Sequence, residues 1–165
     1  MNILAIGCHP DDIEISCAGT LAKCVKRGDT VTVCHVCNGN MGHVVIPPDE
    51  LRVMRANEAK RAGELAGIEV VTMDVGDLLA NGCDIEQRDK IVEVIRFYQP
   101  DAIITHSPTD YMPDHLAVQK LVFDASFTAS CPQYGNGGFC AVTPLYYMDN
   151  LAGMNFNPTE YVDIT

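Results

Sequence analysis

The chain has 165 residues, of which 47% are hydrophobic, and it carries a formal charge of −11. This length suits one domain around a single buried core. The acidic balance leaves no broad basic surface for phosphate backbones, so we expect neither nucleic acid nor an anionic membrane as a partner. No apolar run reaches the length of a membrane span, and no basic leader precedes the first predicted strand; we therefore expect a cytoplasmic protein.

Strands and helices alternate along the chain. Apolar or β-branched runs predict strands over residues 3–8, 30–37, 68–73, 101–106 and 145–148. Helices are predicted over residues 16–27, 47–66, 85–98 and 116–130, with Gly28 and Gly67 as stop signals and Asp84 as an N-cap. A further extended piece is expected over Tyr161 to Ile164. This alternation predicts one α/β domain over residues 1–165, a three-layer Rossmann-like sandwich with a mostly parallel sheet.

The eight cysteines are better explained as buried thiols than as a disulfide framework. Cys8, Cys24, Cys34 and Cys37 lie in apolar segments of a chain that is large enough to fold without cross-links. The CxxC pattern at Cys34–Cys37 lies within a β-like run and has no second pair to complete a zinc site.

The first predicted strand ends at His9-Pro10-Asp11-Asp12, where one imidazole is followed by two adjacent carboxylates. Open α/β sheets bind ligands outside the carboxyl ends of their strands, so this turn is a candidate reactive site. A second imidazole, His106, leaves the fourth predicted strand at the same edge. Two loops follow neighbouring strands and are expected to form pocket walls there: Asn38–His43 and Gly76–Gly82.

A third imidazole, His115, lies in the polar stretch Tyr111-Met112-Pro113-Asp114-His115 after the fourth strand. Two histidines and one carboxylate form a common catalytic zinc triad with a fourth position left for water, and His9, Asp12 and His115 are the candidates. Asp11 would remain free to take a proton from the attacking water. Asp114 is a candidate to orient an imidazole.

Each residue also has a structural interpretation. Asp11 and Asp12 could cap the first helix. His115 could be a helix-start or surface histidine, and we interpret His35 and His43 as structural or surface residues. The joint occurrence of two motifs, H-P-D-D and P-D-H, each just after a predicted strand, favours the metal site.

Together the motifs resemble the N-acetylglucosaminyl-phosphatidylinositol de-N-acetylase family, the PIG-L or LmbE-like deacetylases, over nearly the whole chain. The matching segments are His9–Asp12 with Glu14, Ala18–Ala22, Asn38-Gly39, Arg55 with Glu58-Ala59, and Tyr111 with Pro113–His115. The resemblance implies zinc ligands at His9, Asp12 and His115 and a general base at Asp11. Ferrous iron would also suit such a site.

By the same resemblance, the chain would release acetate from an N-acetylated amino sugar or its conjugate, and it would form a homo-oligomer. Arg55 and Asp77 fall where the family positions substrate hydroxyls or phosphate, and Asn38 is placed with them as a substrate-binding candidate. Two other functions stay open: hydrolysis of another small amide, and a catalytically weak module that binds a metal or a sugar.

Two departures from the family pattern stand out. Many relatives have histidine at the position of Met112, and a thioether can neither stabilise an oxyanion nor protonate an amine. We expect His106 or Tyr111 to take over that role and favour His106, because it leaves its strand at the correct edge. Relatives also usually continue beyond Val162-Asp163-Ile164 into a helical region, so the chain is expected to lack this extension.

Overall fold

A computed structural model describes all residues of the chain, 1–165. Its five strands are β1 (Asn2–Gly7), β2 (Thr30–Cys37), β3 (Glu69–Val75), β4 (Ala102–Thr105) and β5 (Leu145–Tyr147). Its four helices are α1 (Asp12–Arg27), α2 (Pro48–Ala66), α3 (Ile85–Tyr98) and α4 (Pro113–Thr128). None of these helices is long and apolar enough to cross a bilayer.

The strands form one parallel sheet in the order β3-β2-β1-β4-β5. β1 therefore lies in the centre, with Gly7 opposite His35 of β2 and Ile6 opposite Thr105 of β4. The strand order reverses between β1 and β4, and the crevice at such a reversal is where open α/β sheets bind ligands. The predicted fold class is confirmed.

The helices cover both faces of the sheet. On one face, α3 and α4 pack over a core of 16 buried residues that includes Leu4, Ile6 and Ile103. On the other face, α1 and the adjoining strands form a smaller core of eight buried residues that includes Ile13 and Leu21. α2 approaches this face closely at Gly63, where a side chain would collide with Val70 of β3.

Several predicted bounds are confirmed, and two helix starts are wrong. β2 and α3 have the predicted bounds, and the Asp84 side chain caps α3 by accepting from the N–H groups of Glu86 and Gln87. α1 begins at Asp12 rather than at residue 16, and α4 begins at Pro113 rather than at residue 116. Proline is favourable at the first position of a helix, which explains the early start of α4.

Two further expectations concern the cysteines and the end of the chain. All eight cysteines are free thiols, and those in the central strands are buried, whereas Cys24 is only half-buried. The Sγ atoms of Cys8 and Cys37 lie 3.5 Å apart in the larger core. The extended piece expected over residues 161–164 forms no strand.

Candidate functional site

The turn after β1 brings His9 and Asp12 together. The N–H groups of Asp11 and Asp12 both donate to the His9 carbonyl, which folds the chain sharply into α1. The Asp12 Oδ2 atom in turn accepts from the His9 backbone N–H at 2.6 Å. The carboxylate is therefore fixed beneath the imidazole of the same turn.

The side chain of His115 meets this pair from the first turn of α4. Asp12 Oδ1 lies 3.2 Å from His115 Nε2, and Asp12 Oδ2 lies 3.4 Å from His9 Nδ1. One nitrogen or oxygen from each of the three residues falls within 4.8 Å of the others. The three predicted metal ligands thus converge, although they come from segments about a hundred residues apart in sequence.

Asp114 orients the imidazole of His9. Its Oδ2 atom lies 3.3 Å from His9 Nε2 and also accepts the Leu78 N–H at 2.7 Å. A hydrogen bond from Nε2–H to this carboxylate leaves the lone pair of Nδ1 facing Asp12. This is the tautomer that a metal ligand requires, since the second nitrogen of a ligating histidine is normally held by such an acceptor.

Asp110 does the same for His115, and sequence reasoning missed it. Its Oδ1 atom lies 3.1 Å from His115 Nδ1 and accepts the Met112 N–H at 3.0 Å, which closes the turn before α4. The Nε2 atom of His115 is then left facing Asp12. Asp110 lies outside the P-D-H motif, and the only available signal was an acidic residue in the polar loop before it.

The electrostatics of this cluster favour bound positive charge. Burial alone would raise the pKa of Asp12, but the imidazoles of His106, His115 and His9 outweigh it and hold that pKa well below its ordinary value. Burial opposes protonation of His9, yet Asp12 more than compensates and raises the pKa of His9 to about 9. The pKa of His115 is raised against burial by the same carboxylate.

These residues fit a divalent metal ion such as zinc. His115 Nε2 is buried and makes no well-directed hydrogen bond, even though it lies near Asp12 Oδ1. Buried polar atoms rarely stay unpaired, and an ion between the imidazoles would satisfy this one. Two neutral imidazoles and one carboxylate are the donor set of many catalytic zinc sites.

Asp11 points away from Asp12 and is held by Arg55. The Arg55 Nη2 atom donates to Asp11 Oδ2 at 2.7 Å and to the Pro10 carbonyl, while Nη1 donates to Glu58 at 2.8 Å. The Asp11 side chain makes no helix-capping hydrogen bond, so the capping interpretation is not supported for it. Arg55 lies in the cleft beside the cluster, but its guanidinium is occupied by these partners.

His106 lies behind the cluster rather than in the cleft. Its ring stacks on that of His115 at 4.1 Å between centroids, and its Nε2 atom accepts the Cys8 N–H at 2.8 Å. Burial lowers the pKa of His106, consistent with a neutral ring that accepts this bond. The placement favours a positioning role for His106 and not the role of the histidine that Met112 replaces.

Tyr111 is the better placed of the two candidates for that role. It is about half exposed, its ring meets the edge of His115 at 5.7 Å between centroids, and it lines the cleft together with Met112. Its hydroxyl can donate a hydrogen bond, which the Met112 thioether cannot do.

The other two substrate-binding candidates have structural partners. Asp77 is buried, and its two carboxylate oxygens accept the N–H groups of Gly39 and Met41 at 2.8 and 2.9 Å. It therefore clamps the loop after β2 beside the cleft. Asn38 is not brought to the site, since its amide donates to Asp74 at 3.0 Å on the far side of that loop. A backbone path of this kind cannot be inferred from residue types.

The remaining histidines are placed as expected. His35 is buried on the α1 side of the sheet, and His43 Nδ1 accepts the N–H groups of Val45 and Ile46 within its own loop. Both predicted loops line the cleft, one through Gly39 to His43 and the other through Asp77 and Leu78.

Solved structures share this architecture. The 4-carboxy-2-hydroxymuconate hydratase GalB from Pseudomonas putida matches with a TM-score of 0.89 and 22% identity over 99% of this chain and 72% of that chain. N,N'-diacetylchitobiose deacetylase from Pyrococcus horikoshii matches with a TM-score of 0.88 and 22% identity over 99% of this chain and 64% of that chain. At this identity the two structures establish the fold alone, and they carry different activities.

Sequence comparison reaches further. A 1D-myo-inositol 2-acetamido-2-deoxy-alpha-D-glucopyranoside deacetylase from Thermomonospora curvata is 26% identical over 88% of this chain. The chain spans 59% of the length of that relative. A family model described as PIG-L, GlcNAc-PI de-N-acetylase, matches residues 4–126, a range that contains every one of the converging side chains described above. On this match, the chain belongs to the PIG-L family of de-N-acetylases.

Proposed function

We propose that the chain is a metal-dependent hydrolase that removes the acetyl group from an N-acetylated amino sugar or its conjugate. The observation that carries this proposal is the convergence of His9 Nδ1, Asp12 and His115 Nε2, with each imidazole oriented by its own carboxylate. Family membership supports the same reaction class. The proposed ion is zinc, and ferrous iron would suit the same donors.

His9, Asp12 and His115 would hold the ion. Zinc in such a site acts as a Lewis acid toward a carbonyl oxygen and lowers the pKa of water to about 7. The chain's own contribution begins with Asp11, which lines the same cleft and is not one of the converging donors. Asp11 takes a proton as water attacks the acetamide carbonyl and can return it to the departing amine, so that acetate and a free amine are released.

Arg55 and Tyr111 complete this arrangement. The ion pair with Arg55 holds the Asp11 carboxylate in place at the cleft. Tyr111 lines the same cleft, and in this proposal its hydroxyl donates to the oxygen that becomes negative during attack. In this proposal Asp114, Asp110 and His106 position the imidazoles and do not touch substrate.

The test is acetate release from N-acetylglucosamine and its methyl glycoside by zinc-loaded protein. We expect turnover that is lost in Asp11→Asn, by about 10²- to 10⁴-fold, while the zinc content stays at that of the wild type. Loss of zinc from Asp11→Asn would mean that the roles of the two aspartates are exchanged. Turnover of simple acetamides but not of sugars would favour the hydrolase of another small amide.

Met112 supports a second candidate, a module that binds a metal or sugar without turning it over. In that case the zinc-loaded wild type would bind the glycoside and release no acetate. A Met112→His variant, which adds the imidazole present in many relatives, would then gain turnover. A homo-oligomeric state remains a prediction of the family resemblance, and sedimentation of the purified chain would test it.

A further inference from the structure

A cleft of about 650 Å³ opens beside the three converging groups. Its lining includes the polar residues already described, and its apolar walls come from five separate segments of the chain. These walls carry apolar side chains: Met41, Ile46, Met54, Leu78, Met112 and Leu151. The cleft is large enough for a substituent beyond an acetamido sugar.

Several of these side chains are exposed to solvent. The exposed fractions are 55% for Met41, 68% for Leu78 and 71% for Leu151. Single exposed apolar residues are ordinary, but a group of them around one concave surface marks a place where an apolar ligand is removed from water. The group adjoins the candidate catalytic residues, since Met112 of the group directly follows Tyr111 and both line the cleft.

Leu78 gives the clearest sign of selection for an apolar wall. Its backbone has φ of 65°, a left-handed conformation that glycine or asparagine adopts easily and that a bulky side chain rarely adopts. The backbone N–H at this position donates to Asp114, and any residue other than proline would supply it. Neither the backbone conformation nor this hydrogen bond requires a leucine, and its side chain lines the cleft.

The charges around the cleft argue against an anionic substituent. Arg55 is the one lysine or arginine among the lining residues of this chain, and both ends of its guanidinium are paired with Asp11 and Glu58. The lining also contains the carboxylates of Asp12 and Asp77, and its remaining cationic groups belong to the converging cluster. Away from the His9, Asp12 and His115 cluster, a phosphate in this cleft would meet carboxylates and no unpaired lysine or arginine.

Building on the proposed deacetylase activity, we propose that the cleft selects N-acetylated amino sugars that carry an uncharged, apolar aglycone, such as an alkyl chain. The acetamide would face the His9, Asp12 and His115 cluster while the aglycone lies between Leu78 and Met54. Sugars that carry a phosphate in place of the aglycone are poor substrates.

The experiment compares three probes on zinc-loaded protein: the hexyl and methyl β-glycosides of N-acetylglucosamine, and N-acetylglucosamine 1-phosphate. We expect kcat/KM to be at least about tenfold higher for the hexyl than for the methyl glycoside, because the longer chain buries apolar surface in the cleft. The phosphate should be the poorest of the three. Calorimetric affinities of the same probes should follow the same order.

Two variants at adjacent positions test the contribution of the apolar wall to substrate preference. Leu78→Asn relaxes the backbone and keeps the N–H that supports Asp114, and it should bring the hexyl-to-methyl ratio close to one. Leu79→Asn is the matched control, since Leu79 is 66% exposed but does not line the cleft, and it should keep the ratio of the wild type. If Leu78→Asn loses its zinc or its fold, Met54→Gln tests another apolar residue of the cleft lining in the same way.

The outcomes separate the two proposals. Equal kcat/KM for the hexyl and methyl glycosides, or a preference for the phosphate, would overturn the apolar aglycone and leave the deacetylase intact. If zinc-loaded protein turns over none of the probes, the deacetylase proposal fails, and the affinities alone decide on the cleft. Tighter binding of the hexyl glycoside would then still support the apolar wall, and equal affinities would overturn it.

Discussion

The candidate metal cluster and the cleft beside it are built in opposite ways. In the cluster, His9 and His115 are each held by a carboxylate that is itself fixed by a backbone N–H, so the side chains are ordered by several partners at once. In the cleft, apolar side chains such as Met41 and Leu151 stand in solvent with no polar partner to hold them. The comparison teaches that one region can tolerate little change, whereas the other can vary and alter which substrate is accepted.

The sharpest way to break the cluster is Asp12→Ala. Asp12 is the one carboxylate that lies against both converging nitrogens, so its loss should weaken zinc binding by at least about a thousandfold. Competition with a chromophoric chelator measures this affinity. Glu14→Ala, two residues further along α1, should bind zinc like the wild type, and an equal loss in both variants would contradict the assignment.

His35 extends the comparison, because it is a buried polar residue outside the cluster whose Nε2 atom makes no hydrogen bond. This atom lies 3.9 Å from Glu14 Oε2. Burial lowers the pKa of His35 from 6.5 to about 4. As the pH is lowered, His35 therefore binds a proton in the unfolded chain at a higher pH than in the folded protein. The contribution of this residue to the free energy of unfolding is complete above about pH 6.5 and is lost as the pH falls towards 4.

We accordingly expect the free energy of unfolding to fall by at most about 3 kcal/mol from this residue over that range. His35→Leu should remove this part of the pH dependence, measured by urea unfolding at a series of pH values without metal. The difference between wild type and variant isolates His35 from the other titrating groups. An unchanged slope in the variant would show that His35 is not the group responsible.

The two orienting carboxylates should have smaller and similar effects. Asp114→Asn and Asp110→Asn each weaken the acceptor that holds one imidazole, so each should lower zinc affinity by about 10- to 100-fold. Asp124→Asn is a suitable control, because Asp124 lies on α4, the helix that contains Asp114, and pairs with Lys120 at the surface. If only one of the two orienting variants loses affinity, the two imidazoles are not equivalent ligands.

The smallest effect is expected for Arg55→Gln, which tests whether Arg55 positions Asp11 or binds substrate. If Arg55 positions Asp11, kcat should fall by about tenfold with little change in KM and no loss of zinc. If it binds substrate instead, KM should rise and kcat should hold. Arg52→Gln is the matched control, since Arg52 lies one turn earlier on α2 and pairs with Asp74 outside the cleft.

The structure could be predicted from the sequence where the signals are local, and it could not where distant loops meet. β2 and α3 follow from β-branched residues and from an N-cap at Asp84, because these signals are local. The converging trio follows from two motifs, one directly after β1 and one after the loop that follows β4, which meet at one edge of a parallel sheet. What could not be predicted depends on how loops run in space: the support that Asp110 gives His115, the clamp made by Asp77, and the turning away of Asn38.

His106 illustrates the limit. Its position at the end of β4 is correct, but an edge position does not say whether a side chain faces the cleft or packs behind its neighbour. The stacking of its ring on His115 decides this. The apolar wall was equally hidden, since Met41, Met54 and Leu78 are far apart in sequence and share no periodicity.

The adjacency of β1 and β4 has a consequence for how the protein matures. His115 directly follows Asp114, which lies 105 positions after His9, so the ion's donors gather only after β1 and β4 have paired. A chain in which β4 has not yet paired with β1 would offer zinc only the two donors of the turn after β1, in an open site. Zinc would then bind only after the sheet has formed and would stabilise the folded protein selectively. The added free energy of unfolding is about 2.7 kcal/mol when the free zinc concentration is a hundred times the dissociation constant.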